Sequence, residues 1–209
     1  MTARIAPAEV ISIFGPQIGP ATAVTAAPAN GFYPTTLGGV QVMIGGIAAP
    51  LLYVSSSQIN AVVPMGATSR AASTIQIVQG TNTLPSFSAW VDATALGIFP
   101  GLLNQDGTLN SQTNPAKAGS TVSLYVTGWQ TSFAPLLDGQ VATSANDLCS
   151  TVLAPCVASA GTITYGGTAP GIVAGVSQFN VRMDGPNLKS STSVFIGPLN
   201  LSFIVWVQQ

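Results

Sequence analysis

The segment Asn104-Gln105-Asp106-Gly107-Thr108-Leu109-Asn110 has the side-chain spacing that most resembles a ligand-binding loop. Asn104, Asp106 and Asn110 place oxygen atoms at alternating positions around an Asp-Gly pair, as in part of a calcium loop. The segment lacks a second carboxylate and a closing bidentate Glu, so its calcium affinity would be poor. Asp-Gly between apolar residues also favours a type I′ turn. We therefore expect a β-hairpin here and assign no metal.

A pair of amides occurs twice, as Gln58 with Asn60 and as Gln178 with Asn180. Amide groups suit sugar hydroxyls, so these four side chains are candidate ligand-binding residues. The alternative is that each side chain bonds neighbouring backbone at a strand edge and fixes the loop before it. The structural alternative is the one we expect.

Two further repeated features have a structural explanation. Trp90 and Trp206 could stack on sugar rings, but their equivalent positions in a repeat favour packing in the core or between domains. Gly45-Gly46 and Gly166-Gly167 are expected at hairpin turns. Because neither pair opens a helix, a phosphate-binding loop is excluded.

Enzymatic chemistry is not expected from this sequence. Hydrolytic triads need a base that titrates near neutrality, and the chain contains no His. The carboxylates are scattered along the chain, mostly next to Gly, Asn or Pro, where turn formation explains them. We assign no catalytic residue and no cofactor. The carboxylates are Glu9, Asp92, Asp106, Asp138, Asp147 and Asp184.

The composition of the 209 residues points to an uncharged surface. Hydrophobic residues make up 47 % of the chain, charged residues only 5 %, and the formal net charge is −1. This charge is too small to attract nucleic acid or an anionic membrane. No apolar run approaches the ~18 residues that a membrane-spanning helix needs. Uncharged surfaces are poorly soluble unless they are covered, so we expect self-association into a homo-oligomer or polymer.

The two cysteines, Cys149 and Cys156, flank six residues in a loop that carries Asp, Ser and Pro residues. Such a pair can form a disulfide in an oxidising compartment, which is the interpretation we prefer to two free thiols. Half of a zinc site is excluded because no other Cys or His is present. The first five residues carry no signal-peptide core, so the chain is either cytoplasmic or the mature part of an exported protein whose leader was removed. The two cysteines favour the second alternative, an extracellular or cell-surface location.

The chain contains an internal repeat. Ser12-Ile13-Phe14 resembles Ser123-Leu124-Tyr125, and Ser86–Val91 resembles Ser202–Val207. Between these two blocks, residues 45–60 match residues 166–180, and the alignment of the two segments needs no gap from Pro50 and Pro170 onward. Three blocks in the same order predict a duplication.

Each copy reads as β-strands separated by turns. Four segments alternate apolar and polar residues with the period of a half-buried strand. The charged residues are too few to supply the wet face of an amphipathic helix. We therefore predict an all-β chain of two tandem immunoglobulin-like β-sandwich domains, residues 1–98 and 99–209, joined by a short linker near 97–101. The four segments are Val40–Ile44, Thr74–Val78, Val122–Val126 and Gly161–Tyr165.

The sequence resembles the Solibacter-type uncharacterised C-terminal domain found in secreted proteins of soil acidobacteria. The resemblance covers nearly the whole chain and implies an exported immunoglobulin-like β protein with no known activity. Arg182-Met183-Asp184 departs from the family pattern, in which a Val-Pro pair is expected. The segments that carry the resemblance include Val10–Gly15, Leu37–Val40, Pro50–Ser55, Gln58–Pro64, Leu103–Asn110, Asn114–Ala116, Gly119–Gly128 and Gln178–Val181.

These observations together predict a non-enzymatic extracellular structural protein, a subunit of a filament, sheath or surface assembly. The alternative is an adhesive or carbohydrate-binding accessory module of a secreted protein, with glycan as its partner.

Overall fold

The computed structural model describes residues 3–67, 71–129, 137–151, 156–197 and 200–208. Regular structure in these residues is almost entirely β-strand, with one short helix, Leu148–Thr151 (α1). The described part of the chain has no helix that could cross a bilayer. The prediction of an all-β chain is confirmed, while residues 152–155 of the predicted cysteine loop lie outside the described residues.

The strands of the described residues are numbered in chain order. They are Ala3–Ile5 (β1), Val10–Phe14 (β2), Val24–Thr25 (β3), Val40–Ile44 (β4), Ile47–Ala48 (β5), Leu51–Val54 (β6), Gln58–Val62 (β7), Ala71–Gln79 (β8), Asn82–Thr83 (β9), Phe87–Val91 (β10), Gly97–Ile98 (β11), Ala116–Lys117 (β12), Thr121–Thr127 (β13), Asn146–Asp147 (β14), Thr162–Thr168 (β15), Val176–Arg182 (β16), Ser191–Ile196 (β17) and Leu201–Gln208 (β18).

The chain divides into two compact units that alternate along the sequence. The first change of unit falls after Gly97, and further changes occur within the predicted second copy. The division into residues 1–98 and 99–209 stays a prediction. Unit 1 comprises Met1–Gly97, Thr127–Thr143 and Pro170–Val176, and unit 2 comprises Ile98–Val126, Ser144–Ala169 and Ser177–Gln209.

Two sheets of unit 1 share one hydrophobic core. One sheet has the order β1-β10-β8-β4-β5 with β9 beside β8, and the other has the order β2-β7-β6-β3. In β4 the alternate residues Val40, Val42 and Ile44 are buried, as expected for a strand with one face on a core. Leu51 and Ile59 of the other sheet belong to the same core cluster.

Unit 2 is built from a sheet with the order β11-β13-β16-β15-β14 and a sheet with the order β12-β18-β17. In β17, Thr192, Val194 and Ile196 are buried while the intervening residues are exposed. The predicted linker begins with β11, which pairs with β13, and the Phe99 amide donates to the Tyr125 carbonyl at 3.0 Å. This segment is therefore part of a sheet, because its extended backbone has an antiparallel neighbour to bond.

The entry to the second strand has the same geometry in both units. The amide of Glu9 donates to the Ala6 carbonyl at 3.1 Å, and the amide of Ser120 donates to the Lys117 carbonyl at 3.0 Å. The residue that precedes each of these two amides has a positive φ, which is 62° at Ala8 in unit 1 and 81° at Gly119 in unit 2. Each turn follows a short strand that runs parallel to the Trp-bearing strand, β1 beside β10 and β12 beside β18.

A β-bulge also recurs. In unit 1 the register between β6 and β7 shifts just before the pair Tyr53–Asn60. In unit 2 the register between β15 and β16 shifts just before the pair Tyr165–Asn180. The structural counterpart of Tyr53 is therefore Tyr165, so the predicted gap-free match from Pro50 and Pro170 does not hold. The connection from β15 to β16, residues 169–175, is longer than the connection from β6 to β7, residues 55–57.

The two glycine pairs occupy different positions. Gly45 and Gly46 form a two-residue turn between β4 and β5 with φ of 59° and 81°, the type I′ geometry. Gly166 and Gly167 lie inside β15, so their prediction as a hairpin turn is wrong. A side chain at Gly166 would collide with Cys149 Sγ, and one at Gly167 with the Asn146 carbonyl. Close approach of another segment, and not a turn, requires glycine here.

Candidate functional site

The amides of unit 1 bind a serine of the neighbouring strand. Asn60 lies opposite Ser12 in the pairing of β7 with β2. The Ser12 hydroxyl and Gln58 Nε2 donate to Asn60 Oδ1, at 3.0 and 2.8 Å. Since β7 is an interior strand, these amides do not lie at the strand edge that the sequence predicts.

The amides of unit 2 make the same contacts. The Ser123 hydroxyl and Gln178 Nε2 donate to Asn180 Oδ1, at 2.8 and 2.7 Å. A carbonyl oxygen accepts two hydrogen bonds, so the amide oxygen of this Asn, like that of Asn60, has both positions filled. Each Asn side chain can therefore link its own strand to the strand that carries the Ser and to the Gln side chain. Ligand binding by the amides stays a prediction.

The candidate calcium residues form an internal network. Asn110 Nδ2 donates to Asn104 Oδ1 at 2.9 Å and to the Trp206 carbonyl at 2.8 Å. Asp106 instead accepts the amide and hydroxyl of Thr108, at 3.0 and 2.6 Å. These bonds from Thr108 lower the pKa of Asp106. The structure therefore brings Asn104 and Asn110 together but directs Asp106 elsewhere.

The same segment forms a hairpin-like turn. Leu103 bridges Leu109, and the amide of Gly107 donates to the Asn104 carbonyl at 2.9 Å. Positive φ occurs at Gly107, 81°, and not at the two preceding residues, so the turn differs from the predicted type I′. An open polar hollow of about 800 Å³ adjoins this turn and is lined by residues that include Lys117 and Gln208.

Each Asp and Glu side chain accepts at least one hydrogen bond from a backbone or side-chain donor of this chain. The described residues contain no group of three or more His, Cys, Asp or Glu side chains that could hold a metal. The contacts are Arg4 to Asp92 at 2.5 Å, Met65 N to Asp138 at 2.7 Å, Cys149 N and Gly166 N to Asp147 at 3.1 Å, Arg182 to Asp184 at 2.7 Å, Thr108 to Asp106, and Ala6 N to Glu9 at 2.7 Å.

Glu9 has the most unusual environment of these carboxylates. Burial raises its pKa to about 7, although the hydrogen bond from the Ala6 amide acts in the opposite direction. Its side chain lies close to Gly128, where an added Cβ would be 3.3 Å from Glu9 Cγ. The corresponding residue of unit 2 is Ser120, whose hydroxyl donates to the Lys117 carbonyl at 2.6 Å.

Cys149 and Cys156 are joined by a disulfide, with a Cα–Cα distance of 5.2 Å, as predicted. Cys149 is buried at the start of α1, and Asp147 accepts its amide hydrogen. The bond therefore ties α1 to Cys156, while Cys149 Sγ itself packs against Gly166 of β15.

An open cleft of about 470 Å³ runs along β2, a feature that sequence reasoning missed. All five residues of β2 line it, together with residues of β1, β8 and β10. Phe14 at the end of β2 is 72 % exposed, and Phe87 across the cleft is 42 % exposed. The sequence marked Ser12-Ile13-Phe14 of β2 as part of the repeat but carried no signal that a cleft runs along this strand.

The two candidate tryptophans lie on outer sheet faces. Trp90 is 39 % exposed and stands beside Arg4 in the β1–β10 pairing, so it is not a core residue. Arg4 is held by Asp92. Trp206 is half-buried, and its backbone exchanges hydrogen bonds with the Asn110 side chain. Packing in the core is therefore wrong for Trp90, whereas the alternative of packing between domains stays a prediction.

Comparisons with known proteins assign no family. No protein-family model matches the sequence, and no curated protein is significantly similar to it. A solved structure titled BspA_C_WT aligns over 100 % of this chain and 96 % of its own, with 9 % identity and a TM-score of 0.19. That score is too low to support an argument about fold or function.

Proposed function

We propose that this chain is a non-enzymatic structural subunit of an extracellular assembly. The observation that carries the proposal is that β2, with the exposed Phe14, ends its sheet among the residues that the structure describes, in a chain of which only 5 % is charged. Exposed apolar strand edges favour association with another chain unless they are protected. The disulfide supports an oxidising, extracellular location, and the structural use of every carboxylate supports a non-catalytic role.

The proposed subunit is a duplicated immunoglobulin-like domain. The repeated Ser–Asn–Gln contacts, the matching bulges and the matching turns before β2 and β13 support an origin by duplication. The acidobacterial family resemblance is compatible with this origin and with export.

Negative-stain electron microscopy and sedimentation velocity at neutral pH test the structural role. We expect species larger than a monomer whose proportion rises with protein concentration. Dispersed monomers at the highest attainable concentration would remove the proposal.

Binding of a glycan is a second candidate function, supported by the exposed Trp90 beside Arg4. An exposed tryptophan next to polar groups can stack on a sugar ring. A glycan array with the wild type and Trp90→Ala tests this role, with Trp206→Ala as the matched control. Binding that is lost only in Trp90→Ala is the expected result, and an array without any binding ends the hypothesis.

A further inference from the structure

We propose that the outer edge of β2 accepts an extended apolar strand from a neighbouring polypeptide, in the antiparallel orientation that residues 99–103 take beside β13. This inference rests on the proposed structural role and identifies the site and chemistry of the contact.

The direction of the backbone groups in β2 leaves its outer side able to pair. The carbonyl of Glu9 accepts the Val63 amide at 2.8 Å, and the amide of Gly15 donates to Ser57 at 3.2 Å. Backbone groups alternate in direction along a strand, so those of Ser12 and Phe14 face away from β7. In the described part of the chain, β2 is the terminal strand of its sheet.

The amide of Val10, which faces the same outer side, is already used. It donates to the Thr127 hydroxyl at 2.8 Å. An incoming strand would therefore find Ser12 and Phe14 as its hydrogen-bonding positions. Addition of a strand at such an edge is a known mode of peptide recognition.

Unit 2 shows which kind of segment covers the corresponding edge. Ser123, the counterpart of Ser12, exchanges two hydrogen bonds with Leu103, at 2.8 and 2.9 Å. The carbonyl of Tyr125, the counterpart of Phe14, accepts the Phe99 amide. The covering segment reads Ile-Phe-Pro-Gly-Leu-Leu, residues 98–103, so it is apolar throughout, and it pairs with β13 on both sides of a bend at Pro100.

The surroundings of β2 suit the same chemistry. Ile5, Ile75 and Ala89 line the inner wall of the cleft but are themselves buried, so its exposed apolar surface comes from the rings of Phe14 and Phe87 on the rim. A strand with apolar side chains would cover these rings and pair with the open backbone. A highly charged segment would leave them exposed and gains no opposite charge from the cleft beyond Arg4 and Glu9.

The test uses the whole chain and a synthetic peptide of residues 97–103, carrying a fluorophore and a lysine tail for solubility. Fluorescence anisotropy should show saturable binding to the wild type. Ser12→Pro removes the outward N–H group and should weaken binding about tenfold or more. Ser12→Ala is the matched control, since it loses the same hydroxyl but keeps the N–H group and should bind normally.

A second pair of variants guards against misfolding of Ser12→Pro. Phe14→Lys puts a charge on the open edge and should abolish binding, whereas Ile204→Lys, at a residue 56 % exposed in unit 2, should not. Absence of binding to the wild type, or equal binding to Phe14→Lys, overturns the inference. If the protein binds the peptide but stays strictly monomeric, the proposed role as an assembly subunit is overturned and the strand-binding site is not. If assemblies persist in Phe14→Lys, only the proposed contact at β2 is overturned.

Discussion

Ser12 in β2 and Ser123 in β13 make the same side-chain contact, but their backbones have different neighbours. Each hydroxyl donates to the Asn of the next strand. The backbone of Ser123 also pairs with Leu103, whereas β2 ends its sheet among the described residues. The comparison teaches that the same side-chain contact accompanies the same strand pairing in both units. Closure of an edge depends on a separate segment of chain.

The glycine pairs give the largest expected difference between the units. Gly166→Ala places a Cβ 2.7 Å from the Phe179 ring and against Cys149 Sγ, and should destabilise the fold by about 2–4 kcal/mol. Gly46→Ala meets no atom within 4 Å but adopts positive φ, so it should cost only about 1 kcal/mol. Urea denaturation measures both. Equal losses would show that Gly166 is not in close contact with α1.

Removal of the disulfide should affect unit 2 alone. Cys149→Ser with Cys156→Ser opens a loop with a sequence separation of 7 and should cost about 2–3 kcal/mol. Amide hydrogen exchange locates the effect, which we expect in β15 and β16. Faster exchange of the same size in β6 and β7 would contradict the assignment of the effect to unit 2.

The turns before β2 and β13 predict a difference in pH dependence. Because the pKa of Glu9 is raised to about 7, the folded protein holds this proton more tightly than the unfolded chain does. The contribution of Glu9 to stability is therefore lost as the pH rises from about 4.5 to about 7.

Glu9→Gln removes this titration, so the variant should match the wild type near pH 4 and exceed its stability by about 1–2 kcal/mol at pH 8. Thermal unfolding across this pH range measures the gap. Ser120→Ala, at the matching position of unit 2, should leave the pH dependence unchanged. If the stability of the wild type and that of Glu9→Gln depend on pH in the same way, Glu9 keeps an ordinary pKa in the folded protein.

The smallest effect concerns the repeated amides. Asn60→Ala and Asn180→Ala should each cost about 1 kcal/mol, because a Ser hydroxyl and a Gln amide lose their common acceptor. Equal losses in chemical denaturation would support the equivalence of the two sites. If only one substitution destabilises the protein, the two contacts do not have the same structural role.

Much of the strand content could be predicted from local patterns. The alternation in Val40–Ile44 and Thr74–Val78 identified β4 and part of β8, and the cysteine spacing identified the disulfide. Gly45-Gly46 was placed correctly at a turn, but Gly166-Gly167 was not. The two pairs have the same composition, and the difference lies in α1, which packs on Gly166 from a distant part of the sequence.

The sequence by itself determined that this chain is all-β, where many strands lie and which cysteines pair, because strand alternation and short-loop closure act over a few residues. The tertiary structure alone decided that β13 is covered while β2 ends its sheet among the described residues, that Trp90 faces outward and that burial raises the pKa of Glu9. Each of these depends on which segment lies beside the residue in space. That choice is made by the packing of the whole unit, and no local pattern records it.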